Sequence, residues 1–142
     1  MGEPFRFSTQ VKVRFNETDQ QGHVNFVHYL SYFDVALTEY LLAIECSYTD
    51  LLAEGQDMVY TESHCNYRSP VTWPEILRVH ARIAAAGERS LRFEFQVYAE
   101  ADGREVADGH IVAVTMDSQT HRPRAVSGRL RQAVAQFEGI PA

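Results

Sequence analysis

The 142 residues predict an α+β fold, a single domain in which a curved antiparallel five-stranded sheet wraps around one long buried helix. Three observations carry that prediction. From Phe26 to Ile44, apolar residues recur at spacings of three and four. Five other segments alternate apolar and polar side chains with the period of a half-buried strand. The order is strand, helix, then four strands separated by turns, which is antiparallel succession rather than a βαβ repeat.

The first strand is expected over Phe5 to Phe15, with Phe5, Phe7, Val11, Val13 and Phe15 on one face and Arg6, Ser8, Gln10, Lys12 and Arg14 on the other. In the helix, Phe26, Leu30, Phe33, Leu37, Leu41 and Ile44 form a stripe. Val27, Tyr29, Val35, Ala36, Tyr40 and Leu42 widen it until little of the circumference is polar. A helix of about five turns with that character is buried rather than laid on a surface. Asp34 and Glu39 interrupt it, and no run of about 20 apolar residues occurs, so no membrane insertion is expected. Asn25 suits the N-cap, and Tyr48–Glu54 reads as a short extra turn ahead of Gly55.

Asp57 to Tyr67 is the second strand, weaker in alternation, and Pro70 and Pro74 make Arg68 to Glu75 a loop. Leu77, Val79, Ala81, Ile83 and Ala85 line the third strand, and Gly87–Glu88 turns the chain. Leu91, Phe93, Phe95, Val97 and Ala99 line the fourth, and Asp102–Gly103 is a hairpin signal. Arg104 to Met116 is the fifth strand, and Ser127 caps a C-terminal helix through about Phe137. One curved sheet leaves an open edge. Pairing two copies edge to edge closes it, so a homodimer or homotetramer is expected.

Composition narrows the partners. A net charge of −6 with no Lys/Arg run argues against nucleic acid. Six Lys or Arg side chains between Arg68 and Arg104 leave capacity for a small anionic ligand. Cys46 and Cys65 lack metal-ligand spacing, so no metal site is expected and a reducing compartment is. Nothing before Phe5 reads as a secretory segment, which makes a cytoplasmic location the expectation.

The chemistry is expected in the turn between the first strand and the helix, F-N-E-T-D-Q-Q-G-H-V-N-F, Phe15 to Phe26. It gathers a carboxylate (Asp19), an amide side chain (Gln21), an imidazole (His23) and a helix N-terminus. Read alone, Asp19 also suits a plain turn, His23 a backbone cap, and Asn25 an N-cap before any catalytic role. Glu62 and His64 share a strand face assigned to the polar outside of the sheet. Tyr29, Tyr32 and Phe33 are core before they are an acyl pocket, and Cys65 is a small buried hydrophobe rather than a nucleophile. Ser63 lacks the G-x-S-x-G setting of a serine hydrolase.

The segment Val13 to Asp34, V-R-F-N-E-T-D-Q-Q-G-H-V-N-F-V-H-Y-L-S-Y-F-D, resembles the strand–Asp–x–x–Gly loop–helix signature of the hotdog-fold acyl-CoA thioesterases of the 4-hydroxybenzoyl-CoA thioesterase type. Asp19 falls on the catalytic carboxylate position of that signature. Asp19-x-Gln21-x-His23-Val24-Asn25 is also similar to the D-x-N-x-H-V-N-N segment of plant acyl-carrier-protein thioesterases, with Gln21 where Asn stands and Phe26 in place of the second Asn. Asn66 to Glu75, N-Y-R-S-P-V-T-W-P-E, resembles the family's strand that ends in Pro before an acidic turn. The resemblance covers the chain from the first strand to Met116. It implies hydrolysis of a small or medium acyl-CoA to free acid and CoA, at a site on a dimer interface, with no cofactor beyond the CoA of the substrate.

The residues suit that reaction. A thiolate leaves readily, because a thiol pKa is roughly 8.5, so a strong general acid is less necessary than in amide cleavage. Asp19 is expected to act either as general base on water or as the nucleophile of a mixed anhydride. The backbone amide of Phe26 is expected to polarise the thioester carbonyl, aided by the positive end of the helix dipole. His23 joins them as a polar partner, and Gln21, Gly22 and Asn25 are the expected substrate contacts. Two rivals remain: an enoyl-thioester hydratase on the same fold, and a non-catalytic acyl-thioester binding module.

Overall fold

The computed structural model describes residues 5–141. The residues ahead of Phe5 and the outer bounds of the 1–142 domain lie outside them. Strands β1 (Phe7–Lys12), β2 (Gln56–Tyr67), β3 (Ile76–Ala86), β4 (Ser90–Ala99) and β5 (Glu105–Asp117) form one curved antiparallel sheet in the order β1-β3-β4-β5-β2. Helices α1 (Val27–Ala43), α2 (Tyr48–Ala53) and α3 (Gly128–Glu138) complete the chain.

The alternation read in β3, β4 and β5 places one buried face against α1. Leu77, Val79, Ala81 and Ile83 meet Leu91, Phe93, Phe95 and Val97 across the β3–β4 pairing, all at most 1% exposed. The helix answers with Tyr29, Tyr32, Phe33, Ala36, Leu37, Tyr40 and Leu41. The Phe33 ring stacks on Phe95, with centroids 4.6 Å apart and planes 5° from parallel. Phe95 is paired with Gly109 on β5. A Cβ at Gly109 would fall 2.0 Å from the His64 carbonyl oxygen and 2.8 Å from Phe33 Cε2. The glycine therefore gives Phe33 its seat. Burying a ring of this kind is worth about 1.5–3 kcal/mol.

Helices α2 and α3 start where a serine supplies an acceptor: Ser47 Oγ accepts from the Asp50 amide and Ser127 Oγ from the Leu130 amide. The weak alternation of β2 has a physical cause. A bulge between Tyr60 and Glu62 shifts the register, so the face toward α1 changes from even to odd numbering, from Met58 and Tyr60 to Ser63 and Cys65. Glu62 and His64 consequently lie on the outer face. There His110 Nε2 is 2.5 Å from Glu62 Oε2 and the His64 and His110 imidazoles stack at 5.4 Å.

Three expectations are corrected. First, α1 is not enveloped. Ser31, Asp34, Val35, Thr38, Glu39 and Leu42 are exposed, because a single five-stranded sheet covers one side of a helix and leaves the other open. Second, β1 ends at Lys12, and Phe15 begins a short 3₁₀ turn instead of closing the strand. Its ring is 70% exposed and meets the Trp73 edge at 5.6 Å. Third, β2 and β3 are not neighbours. The connection from Arg68 to Glu75 carries the chain across the sheet, and β2 becomes the edge strand beside β5.

Candidate active site

The loop ahead of α1 is closed by its own backbone. Thr18 bridges Val24, and the Asp19 amide donates to the His23 carbonyl at 3.0 Å. Within this hairpin the Gly22 amide donates to the Asp19 carbonyl at 2.9 Å, with Gly22 at φ +80°. A side chain at 22 would meet nothing within 4 Å, so the glycine serves the turn conformation rather than a close approach. Asp19 Oδ1 accepts from the Gln21 amide at 2.9 Å, the Asx turn that such a sequence favours. The carboxylate thus has a fixed orientation at the lip of a cavity while remaining exposed.

Two further ties place the hairpin. His23 bridges Thr72, and the Val24 amide donates to the Val71 carbonyl at 2.8 Å. The Asn25 amide donates to the Glu17 carbonyl at 2.9 Å. Glu17 is itself buried, and its carboxylate accepts from the Arg14 amide and the Tyr32 hydroxyl, each at 2.8 Å. Burial, then the Glu17 carboxylate, pushes the Tyr32 hydroxyl far above the ordinary tyrosine range and keeps it a donor.

The start of α1 shows how its amides are distributed. Asn25 Oδ1 accepts from the Val27 amide at 3.1 Å, the His28 amide reaches the Asn25 carbonyl at 3.0 Å, and the Tyr29 amide reaches the Phe26 carbonyl at 3.2 Å. The Phe26 N–H has no acceptor among the described residues. One donor is therefore left at the positive end of the helix.

A cavity of about 390 Å³ lies between this loop and the start of the β2–β3 connection. Of the residues singled out in the sequence, Asp19, Gln21, His23 and Phe26 line it; Gly22 and Asn25 do not. Gly22 is at the hairpin tip, and Asn25 is the helix cap. Val24, Tyr29, Tyr67, Arg68, Ser69 and Pro70 complete the lining, and Tyr67 to Pro70 were not expected at the site. Tyr67 packs edge-on against Tyr29 at 5.0 Å and against Phe26 at 6.3 Å. The N-Y-R-S-P stretch carried the signal for Tyr67 to Pro70, and the His23–Thr72 bridge and the Val24–Val71 hydrogen bond hold the connection that follows it against the hairpin.

The charges around the cavity are mostly committed. Arg68 Nε lies 2.8 Å from Asp108 Oδ2 and 3.4 Å from Glu105. The Arg68 guanidinium holds the Asp108 carboxyl below the usual aspartate range, with Asn66 assisting. Arg104 joins Glu75 at 2.8 Å and Asp102 at 3.0 Å, fixing the loop that carries Thr72. Burial pushes the Cys65 thiol up to about 11, which makes it a poor nucleophile. Among the described residues no group of three His, Cys, Asp or Glu side chains is arranged to hold a metal ion. No helix there is long and apolar enough to cross a membrane.

The chain is similar to known proteins over most of its length. The long-chain acyl-CoA thioesterase FadM of Escherichia coli (strain K12) is 28% identical over 129 residues, covering 91% of this chain and 97% of that one. A thioesterase of Thermus thermophilus, crystallised with coenzyme A and Zn, superposes with a TM-score of 0.83 at 31% identity, covering 99% of this chain and 100% of its own. The DHNA-CoA thioesterase of Staphylococcus aureus has the same fold, with a TM-score of 0.85 at 20% identity over 93% of this chain and 90% of its own. The sequence profile of the Thioesterase-like superfamily matches residues 13–134. A hotdog sheet around α1, a hairpin that presents Asp19 beside the head of that helix, and a profile match over most of the sequence lead to one assignment: the chain belongs to the Thioesterase-like superfamily.

Proposed function

We propose that the protein hydrolyses a small or medium acyl-CoA to free acid and CoA. The observation that supports the reading is that Asp19 and Phe26, whose amide has no acceptor among the described residues, line one cavity. A thioester carbonyl lying against that amide meets the positive end of α1, where a single well-aimed donor is commonly worth about 10²–10³ in rate. Asp19 then either deprotonates a water that attacks the carbonyl carbon or attacks it directly. In both routes the C–S bond breaks, the thiolate of CoA leaves, and water supplies the oxygen of the acid. His23 lines the same cavity and orients the water or the carboxylate, and Gln21 contacts the substrate from the hairpin. The reaction needs no metal or organic cofactor.

A net charge of −6 favours CoA over an acidic carrier protein as the bearer of the thioester. The edge of β2 and the exposed apolar residues Val27, Val35 and Leu42 of α1 are the surface through which we expect two copies to pair. Pairing there covers the open side of α1 and closes the cavity from water. Two free thiols fit a cytoplasmic setting.

Thiol release from a panel of acyl-CoAs, measured for wild type and Asp19→Asn, tests the reading. Wild type is expected to release CoA, and the variant to be slower by about 10²–10⁴. Hydration of an enoyl-CoA without thiol release, or binding of acyl-CoA without turnover, overturns it.

A further inference from the structure

Arg104 stands just past the β4–β5 turn and lines no part of the Asp19 cavity, yet its guanidinium grips a residue that does. Nη2 donates to the Pro70 carbonyl at 2.9 Å, and Pro70 is in the lining. The same nitrogen lies 2.8 and 2.9 Å from the two Glu75 carboxylate oxygens. Nη1 meets the Asp102 carboxylate at 3.1 and 3.0 Å, so the fork is held from its other side as well. The side chains of Arg104 and Glu75 are only 32% and 19% exposed, so water screens this pair less than one on the open surface.

Glu75 passes the constraint on. Its Oε2 accepts from the Thr72 amide at 2.8 Å and from the Thr72 hydroxyl at 3.1 Å. Thr72 bridges His23, and the His23 carbonyl accepts the Asp19 amide at 3.0 Å. One residue before Thr72, the Val71 carbonyl accepts the Val24 amide at 2.8 Å. Burial works to raise the Glu75 carboxyl, but the Thr72 amide and then the Arg104 guanidinium hold it below the usual glutamate range.

Resting on the thioesterase reading, we propose that Arg104 is a positioning residue for the reaction: through Glu75, Thr72 and His23 it fixes the hairpin that aims the Asp19 carboxylate. Every link in that series is directional. A planar guanidinium meets one carbonyl and two carboxylates at once, which a single ammonium cannot do. Without the clamp, Thr72 keeps its acceptor on Glu75, but Glu75 and Pro70 lose their tie to the β4–β5 turn. A displacement of about 1 Å at a reacting group costs about 10²-fold in rate.

The test compares wild type with Arg104→Gln in amide hydrogen exchange and in thiol release from acyl-CoA. The Asp19 and Val24 amides should exchange about tenfold faster in the variant, while those of β4, at the centre of the sheet, keep the wild-type rate. The variant should lower kcat at least about tenfold. In an Asp19→Asn background the same substitution should lower the residual rate by less than about twofold, because the carboxylate it served is already gone. If Arg104→Gln does not fold, Arg104→Lys, which keeps the charge and loses the fork, carries the same comparisons at smaller amplitude. Unchanged exchange at Asp19 and Val24 overturns the proposal, and so does exchange that rises equally in β4. A loss of activity by the same factor in both backgrounds overturns it too, since that is what a merely structural role gives. A wild type that releases no thiol defeats the thioesterase reading instead, and exchange alone then decides whether Arg104 holds the hairpin.

Discussion

The Tyr32 hydroxyl, on the second turn of α1, donates to the Glu17 carboxylate at 2.8 Å, and both residues are buried. This bond couples the helix to the segment that feeds the Asp19 hairpin, because the Glu17 carbonyl in turn receives the Asn25 amide. The register of hairpin against helix is held at a buried polar contact rather than by packing alone.

Removing the hydroxyl should therefore show in both stability and turnover. Tyr32→Phe keeps the ring and leaves a buried carboxylate short of one donor. A loss of about 1–3 kcal/mol is expected in denaturant unfolding. If the register matters to chemistry, kcat should fall while the KM for acyl-CoA changes little. An unchanged unfolding midpoint would show that the bond contributes nothing.

Gly22→Ala separates conformation from space. The site has room for a methyl group, so the expected effect comes from the left-handed backbone alone, about 1–2 kcal/mol. Because Asp19 is aimed by the same hairpin, activity should fall more steeply than thermal stability. Gly22→Asn, which tolerates φ of +80°, should recover most of both.

The Arg68–Asp108 pair gives a pH signature. The folded-state pKa of Asp108 is depressed, chiefly by Arg68, whereas in the unfolded chain it lies near the ordinary value of about 3.9. The unfolded state binds the proton first, so the stabilisation is complete above about pH 4 and is lost as pH falls through the depressed value. The stability difference between wild type and Asp108→Asn should be flat at neutral pH and shrink below about pH 4. A difference that instead changes between about pH 6 and 8 would assign the effect to another group.

Much of this architecture was legible in the sequence because side-chain period reports which face is buried. The strands of the 77–99 hairpin, the Ser127 cap and the Asp19 turn all follow from local pattern. What period does not report is who the neighbour is. The apolar flank at Val35 and Leu42 reads the same whether a sheet or a second chain covers it, and so a half-covered helix passed for an enveloped one. Phe15 kept the phase of β1 after the backbone had left the sheet. Tyr67 and Arg68 reach the cavity through tertiary contacts, among them the His23–Thr72 bridge and the Val24–Val71 hydrogen bond, which no single segment encodes. Conversely, the lapse of alternation in β2 was real information: it marks the bulge at Tyr60 and Glu62.

Gly109 has a mechanical consequence for the head of α1. Phe33 rests on bare main chain at that position and on the flat of Phe95, two supports that leave the ring nowhere to settle. The altitude of the helix above the sheet is set by peptide units, which have no rotamers to hop between. The Phe26 amide, two turns upstream on the same rigid rod, inherits that stillness, so a donor at the lip of an exposed cavity is steadied by a foundation buried far beneath it.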